Sequence, residues 1–167
     1  MSAQSVANFF LDQAEREGIP ITPMKLVKLV YIAYGWHLAL TGRRLFDEPI
    51  EAWKHGPVVP SLYHEFKDFG NKPIDRRSYD LNEETFEFFV PRIDKSRNDT
   101  SIVLSKVWAS YRHFSGWNLR NLTHEVGSPW SLVYDPNKKY TSLNDDDISA
   151  HYKKRISEYI ERSKQEK

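Results

Sequence analysis

Apolar residues recur at three- and four-residue steps over long stretches of the chain, the spacing of one face of a helix. Residues 2–17 carry Ala3, Val6, Ala7, Phe10 and Ala14 in that pattern, and Gly18 ends it. Thr22 can cap a second helix, Pro23 suits its first position and Gly42 follows its last turn. After Lys28 this segment is apolar on nearly every side, which predicts a buried central helix over 22–41. Ile50 to Lys54 reads as a short extended piece, one strand of a small hairpin, broken by His55-Gly56-Pro57. A third helix starts between Pro57 and Pro60, shows Val59, Leu62, Tyr63, Phe66 and Phe69 on one face, and stops at Gly70.

The second half repeats the helical theme with more interruptions. Residues 71–82 are polar and place Arg76-Arg77 in a surface loop. Glu83 to Val90 is ambiguous: its glutamates favour helix, its Phe86/Phe88 alternation favours strand. Pro91 to Asp99 reads as a charged linker. Thr100 to His113 predicts a fourth helix, with Val103, Val107, Tyr111 and Phe114 on one side. Ser115 can cap a fifth over 116–126, and 127–130 reads as a turn. Asp145-Asp146-Asp147 sits before a last helix over 148–163, where acidic groups meet the positive end of the dipole. The expected fold is mainly α. It is a compact single-domain bundle of five to six helices around the buried 22–41 helix, with one short β element near 50–54, a domain over 1–163 and a charged tail at 164–167.

Composition narrows the function classes. The chain has 167 residues, 40% hydrophobic and 14% aromatic, which fits one folded domain. Its 24 basic and 23 acidic side chains leave +1, so a nucleic-acid partner has no electrostatic support. No cysteine is present, which removes disulfides, cysteine-ligated metals and a thiol nucleophile. No apolar run reaches the ~18 residues of a membrane span, and the first residues carry no signal-peptide pattern. The expected setting is the cytoplasm, with no membrane association.

Three segments in order carry a resemblance. Lys25-Leu26-Val27-Lys28-Leu29-Val30-Tyr31, with Trp36-His37 and Thr41-Gly42, opens it. Leu45-Phe46 through Glu51-Ala52-Trp53, Gly56-Pro57-Val58, Pro60 and Leu62-Tyr63 continues it. Leu122-Thr123-His124-Glu125 and Pro129-Trp130 close it. Together they resemble the Panacea domain, the SocA-type antitoxin family, over essentially the whole chain. The departure is at 71–98. The resemblance implies an antitoxin that neutralises a toxin encoded by an adjacent gene through direct protein binding, in bacteria, phages or prophages. One branch of the family instead delivers its toxin to the ClpXP protease. The resemblance leaves open a homodimer or a heterotetramer with the toxin, and it implies no cofactor, no metal and no catalytic centre.

Candidate residues carry a structural and a functional reading side by side. Trp53, His55 and Tyr63 could form a toxin-binding surface, since Trp and Tyr dominate binding hot spots; equally they could pin a loop to the core. Arg43 and Arg44 could meet acidic groups on the partner, as could Arg76 and Arg77, or simply face water. Trp36-His37 reads as a core Trp beside a His that orients backbone. His64 and Asp68 echo a helix-borne zinc motif with Asp in the second His position, so a metal-dependent hydrolase would need a further ligand from elsewhere. Thr123-His124-Glu125 could be an acid–base site, but a His at a helix C-terminus is favoured by the dipole alone. The preferred reading is a binding protein without catalysis.

Overall fold

The computed structural model describes residues 1–94 and 96–165. Lys95, in the expected linker, and residues 166–167, in the expected tail, lie outside the described residues. Helix α1 (Ala3–Glu17) is capped by the Ser2 hydroxyl, which accepts from the Ser5 N–H, and ends at Gly18 with φ 65°. Helix α2 (Pro23–Thr41) is capped by Thr22 and ends at Gly42, φ 69°. Its side chains from Leu26 to Tyr34 are all buried. Five other helices and a strand pack around it: α1, α3 (Pro60–Phe66), α4 (Asn98–Tyr111), α5 (Gly116–Thr123), α7 (Asp145–Gln165) and β2 (Gly56–Val58). The fold is therefore mainly α with α2 at its centre, as the all-round apolar pattern predicts.

The described residues hold seven α-helices, more than the five to six expected. The addition is α6 (Pro129–Val133), which lies where a turn is expected. Ser128 explains both this helix and the early end of α5 at Thr123. Its hydroxyl donates to the Thr123 carbonyl (2.9 Å), turning the chain, and accepts from the Ser131 N–H to cap α6. The last helix begins at Asp145 rather than 148, because the Asn144 side chain accepts from the Asp147 N–H at 2.8 Å.

The β content is also larger than expected. Strands β1 (Glu51–Trp53) and β2 (Gly56–Val58) form the expected hairpin, with Trp53 opposite Gly56. A third strand, β5 (Thr141–Ser142), joins on the other side of β1. Pro57 has no N–H to give a ladder, and β2 is accordingly an edge strand. The ambiguous 83–90 segment resolves towards strand: β3 (Asp80–Asn82) pairs antiparallel with β4 (Glu87–Phe89). Arg76 and Arg77 are not free in a surface loop. Arg76 pairs with Glu65 on α3, and Arg77 pairs with Asp12 and Glu15 on α1.

Candidate interaction surface

Many of the motif residues are polar groups that hold backbone. Lys28 is buried inside α2, and its ammonium donates to the Pro57 carbonyl at 3.0 Å, tying β2 to the central helix. Burial, helped by the positive charge of Arg120, pushes its pKa down to about 7. Gly56 lies directly over this ammonium with φ 103°. A Cβ there would stand 2.9 Å from the Lys28 Nζ, the Thr123 Oγ1 and the His124 ring, so only glycine lets the strand approach so closely. Lys25 donates to the Arg112 carbonyl at the C-terminus of α4, where a cation is favoured. The His37 Nδ1 donates to the Arg43 carbonyl (2.9 Å) and its Nε2 accepts from the Thr100 hydroxyl (3.0 Å). Both contacts pin the chain leaving α2 to the start of α4. Tyr31 is buried beside Tyr152, and burial raises its phenol pKa.

The Thr123-His124-Pro129-Trp130 segment is likewise a latch. The His124 Nδ1 donates to the Arg120 carbonyl at 2.7 Å, and its ring lies 3.8 Å from that of Trp130. The Trp130 Nε1 donates to the Trp53 carbonyl at 2.8 Å. Burial lowers the His124 pKa, so the ring is neutral at pH 7 and serves as packing and hydrogen-bond donor. Among the described residues no group of three or more His, Cys, Asp and Glu side chains converges as a metal ion requires. His64 instead packs edge-on against Trp53 and Tyr63.

That latch presents an aromatic surface on its outer side. The Trp53 ring lies 4.9 Å from Tyr63, 6.2 Å from His64 and 5.6 Å from Tyr140. The Trp53 Nε1 donates to the Glu51 carboxylate at 2.7 Å, which fixes the indole orientation. Beyond the β1–β2 turn, exposed His55 packs edge-on against Trp117, and the Arg120 guanidinium lies over the Trp117 ring at 5.3 Å. Tyr63, Trp117 and Tyr140 are 39%, 58% and 59% exposed, far above what core packing leaves. Burial, with Arg120 and Lys54 nearby, lowers the His55 pKa, so this imidazole too is neutral at pH 7. Lys54 follows Trp53 in the chain and Lys139 precedes Tyr140, both exposed, whereas Lys138 pairs with Asp135.

The structure thus brings Trp53 and Tyr63 together and adds His64 and Tyr140 to them, whereas His55 packs against Trp117 beyond the turn. Tyr140 arrives through β5, a two-residue strand with no legible periodicity. Trp117 lies in the first turn of α5. Arg43 and Arg44 stand apart from this group. Arg43 pairs with Asp99 at the start of α4. Arg44 pairs with Asp145 at the start of α7 and donates to the Tyr34 hydroxyl. Buried Tyr34, itself donating to Asp145 at 2.6 Å, has its pKa pushed up to about 12. A separate open groove of about 720 Å³ lies along α7, bordered by Trp36, Val126, Leu132, His151, Arg155 and Tyr159.

Comparison with known proteins places these features in a group. The family described as "Antitoxin SocA-like, Panacea domain" matches residues 26–131, the span from α2 to α6. The chain is 33% identical over 135 residues to "Antitoxin SocA" of Caulobacter vibrioides (strain NA1000 / CB15N), covering 80% of this chain and 70% of that protein. No solved structure matches. No helix among the described residues is long and apolar enough to cross a membrane.

Proposed function

The chain belongs to the SocA-like, Panacea-domain antitoxin family, and from that premise we propose that it neutralises a cognate toxin, encoded by an adjacent gene, by binding it directly. The observation that carries this reading is the aromatic face around Trp53. Large rings held by a rigid latch and left open to solvent are what a protein-binding hot spot needs. Tyr63 packs on Trp53, and His55 stands beyond the β1–β2 turn against the exposed Trp117 ring. Arg43 and Arg44 are secondary candidates, because each already has an acidic partner within the chain.

The functional unit extends over 1–163, beyond the matched span, because α1 and α7 both pack on α2 and complete its burial. It acts in the cytoplasm, where a toxin translated beside it would first meet it. The test is co-expression with the product of the neighbouring open reading frame. The wild-type chain is expected to restore growth and to co-purify with that product at a fixed molar ratio. Growth rescue without a complex, together with ClpXP-dependent loss of the toxin, would assign the chain instead to the adapter branch.

A further inference from the structure

The β3–β4 arm is an acidic, aromatic hairpin with an uncovered apolar face. Every residue from Tyr79 to Phe89 is exposed. The register places Leu81 opposite Phe88 on one face, with Tyr79 next along it. Asp80, Asn82, Glu87 and Phe89 lie on the other face. Phe88 is 75% exposed, and Phe86, at the tip, is 78% exposed. Phe86 is held at φ 56°, an unusual conformation for a bulky side chain. A two-stranded hairpin has little stability alone in water, and this one is nevertheless firmly rooted. Buried Asn8 on α1 donates to the Ser78 and Pro91 carbonyls at 3.0 and 3.1 Å and accepts from the Ser78 N–H at 2.8 Å. The body therefore holds out an arm whose apolar face it does not cover.

Charge identifies what fits there. Residues 79–90 carry Asp80, Glu83, Glu84 and Glu87 and no basic side chain. None of these four has an ion pair among the described residues. With +1 overall and −4 in the arm, the rest of the chain carries +5. Complementary charge is present on the same chain: Lys54 adjoins Trp53, Lys139 adjoins Tyr140 and the Arg120 guanidinium lies over the Trp117 ring, against the Glu51 carboxylate held by the Trp53 indole. Both features border α3, which anchors the arm's root through Glu65–Arg76 and supplies Tyr63 and His64 to the face.

We propose that two copies of the chain associate by exchanging these arms, the acidic hairpin of each lying on the cationic aromatic face of the other. The contact is reciprocal, so it closes as a two-fold dimer and does not propagate. It covers the face assigned above to the toxin. If that assignment holds, toxin and partner copy compete, and the dimer is a storage form that the toxin opens; the dimer itself does not depend on it.

Sedimentation velocity of the full chain without toxin, over a hundredfold concentration range, tests this directly. The wild type is expected to reach the mass of two chains and to dissociate on dilution and at high salt. Charge reversal in the arm (E83K/E84K/E87K) or on the face (K54E/K139E) is expected to give monomers. Mixing the two reversed variants is expected to restore the dimer, since each arm then meets a face of opposite charge. Phe86→Ser with Phe88→Ser is expected to give a monomer with no charge change. All seven positions are exposed, so thermal melts of the variants should overlay the wild type at concentrations where the wild type is monomeric. A wild type that stays monomeric throughout, variants that dimerise like the wild type, or a mixture that stays monomeric would each overturn the proposal. The toxin-binding reading is untouched by those results, because it is read in the co-purification experiment.

Discussion

Lys28 shows how one residue couples fold and titration. Its ammonium is buried against the Pro57 carbonyl, and burial lowers its pKa from 10.5 to about 7. The unfolded chain keeps this proton up to about pH 10.5, whereas the folded chain releases it near 7. Between those values the unfolded state binds more protons, so stability rises with pH, by up to ~1.4 kcal/mol per pH unit for one group. Below about pH 7 both states are protonated and the burial penalty is fully present. Lys28→Met is expected to flatten the rise between pH 7.5 and 9.5 in urea unfolding; an unchanged slope would mean that Lys28 stays charged when folded. Gly56 makes a second residue-scale case. Gly56→Ala places a Cβ against Lys28, Thr123 and His124 at φ 103°, and is expected to cost about 1–3 kcal/mol. A melt within a degree of wild type would show that β2 can shift away.

Among the elements, α2 and α7 depend on a glycine. A Cβ on Gly35 would lie 2.0 Å from the Tyr152 ring, so α7 packs on α2 only because position 35 has no side chain. Gly35→Ala is expected to destabilise by about 3 kcal/mol through overpacking. In a Tyr152→Ala background the same change should cost much less, and a double-mutant cycle reads that coupling; additive costs would show that the ring does not set the helix spacing. The long helices were legible because their periodicity and caps agree: Thr22-Pro23 and Gly42 bracket α2, and α1 is read within a residue. The later boundaries were not legible in the same way. Ser128 acts through a hydroxyl bond to Thr123, which no periodicity reveals, so α6 reads as a turn. Strand β5 is two residues long and exists only because β1 has a free edge. The aromatic site was half legible: Trp53, His55 and Tyr63 lie close along the chain, whereas Tyr140 reaches Trp53, and Trp117 reaches His55, only through tertiary packing. Arg76-Arg77 reads as solvated because its partners, Glu65, Asp12 and Glu15, sit on distant helices.

For the whole molecule, the polar motif residues and the exposed rings have different tasks. Lys28, His37, His124 and Trp130 hold loops to helices, so their replacement should lower stability and binding together. Trp53 separates the two effects. The backbone carbonyl of Trp53 receives the Trp130 bond, so Trp53→Ala keeps that latch while removing the half-buried indole at the centre of the aromatic face. Trp53→Ala and Tyr63→Ala are each expected to weaken toxin binding about tenfold or more, with a Tm close to wild type. The most direct measurement is a titration of the purified toxin with this chain, following toxin activity and complex mass at each molar ratio. Inhibition should end at a fixed whole-number ratio matching the mass of the complex, and the Trp53→Ala/Tyr63→Ala variant should fail to reach it at the same concentrations. Full inhibition by substoichiometric amounts, or equal inhibition by that double variant, would contradict neutralisation by binding through the Trp53 face.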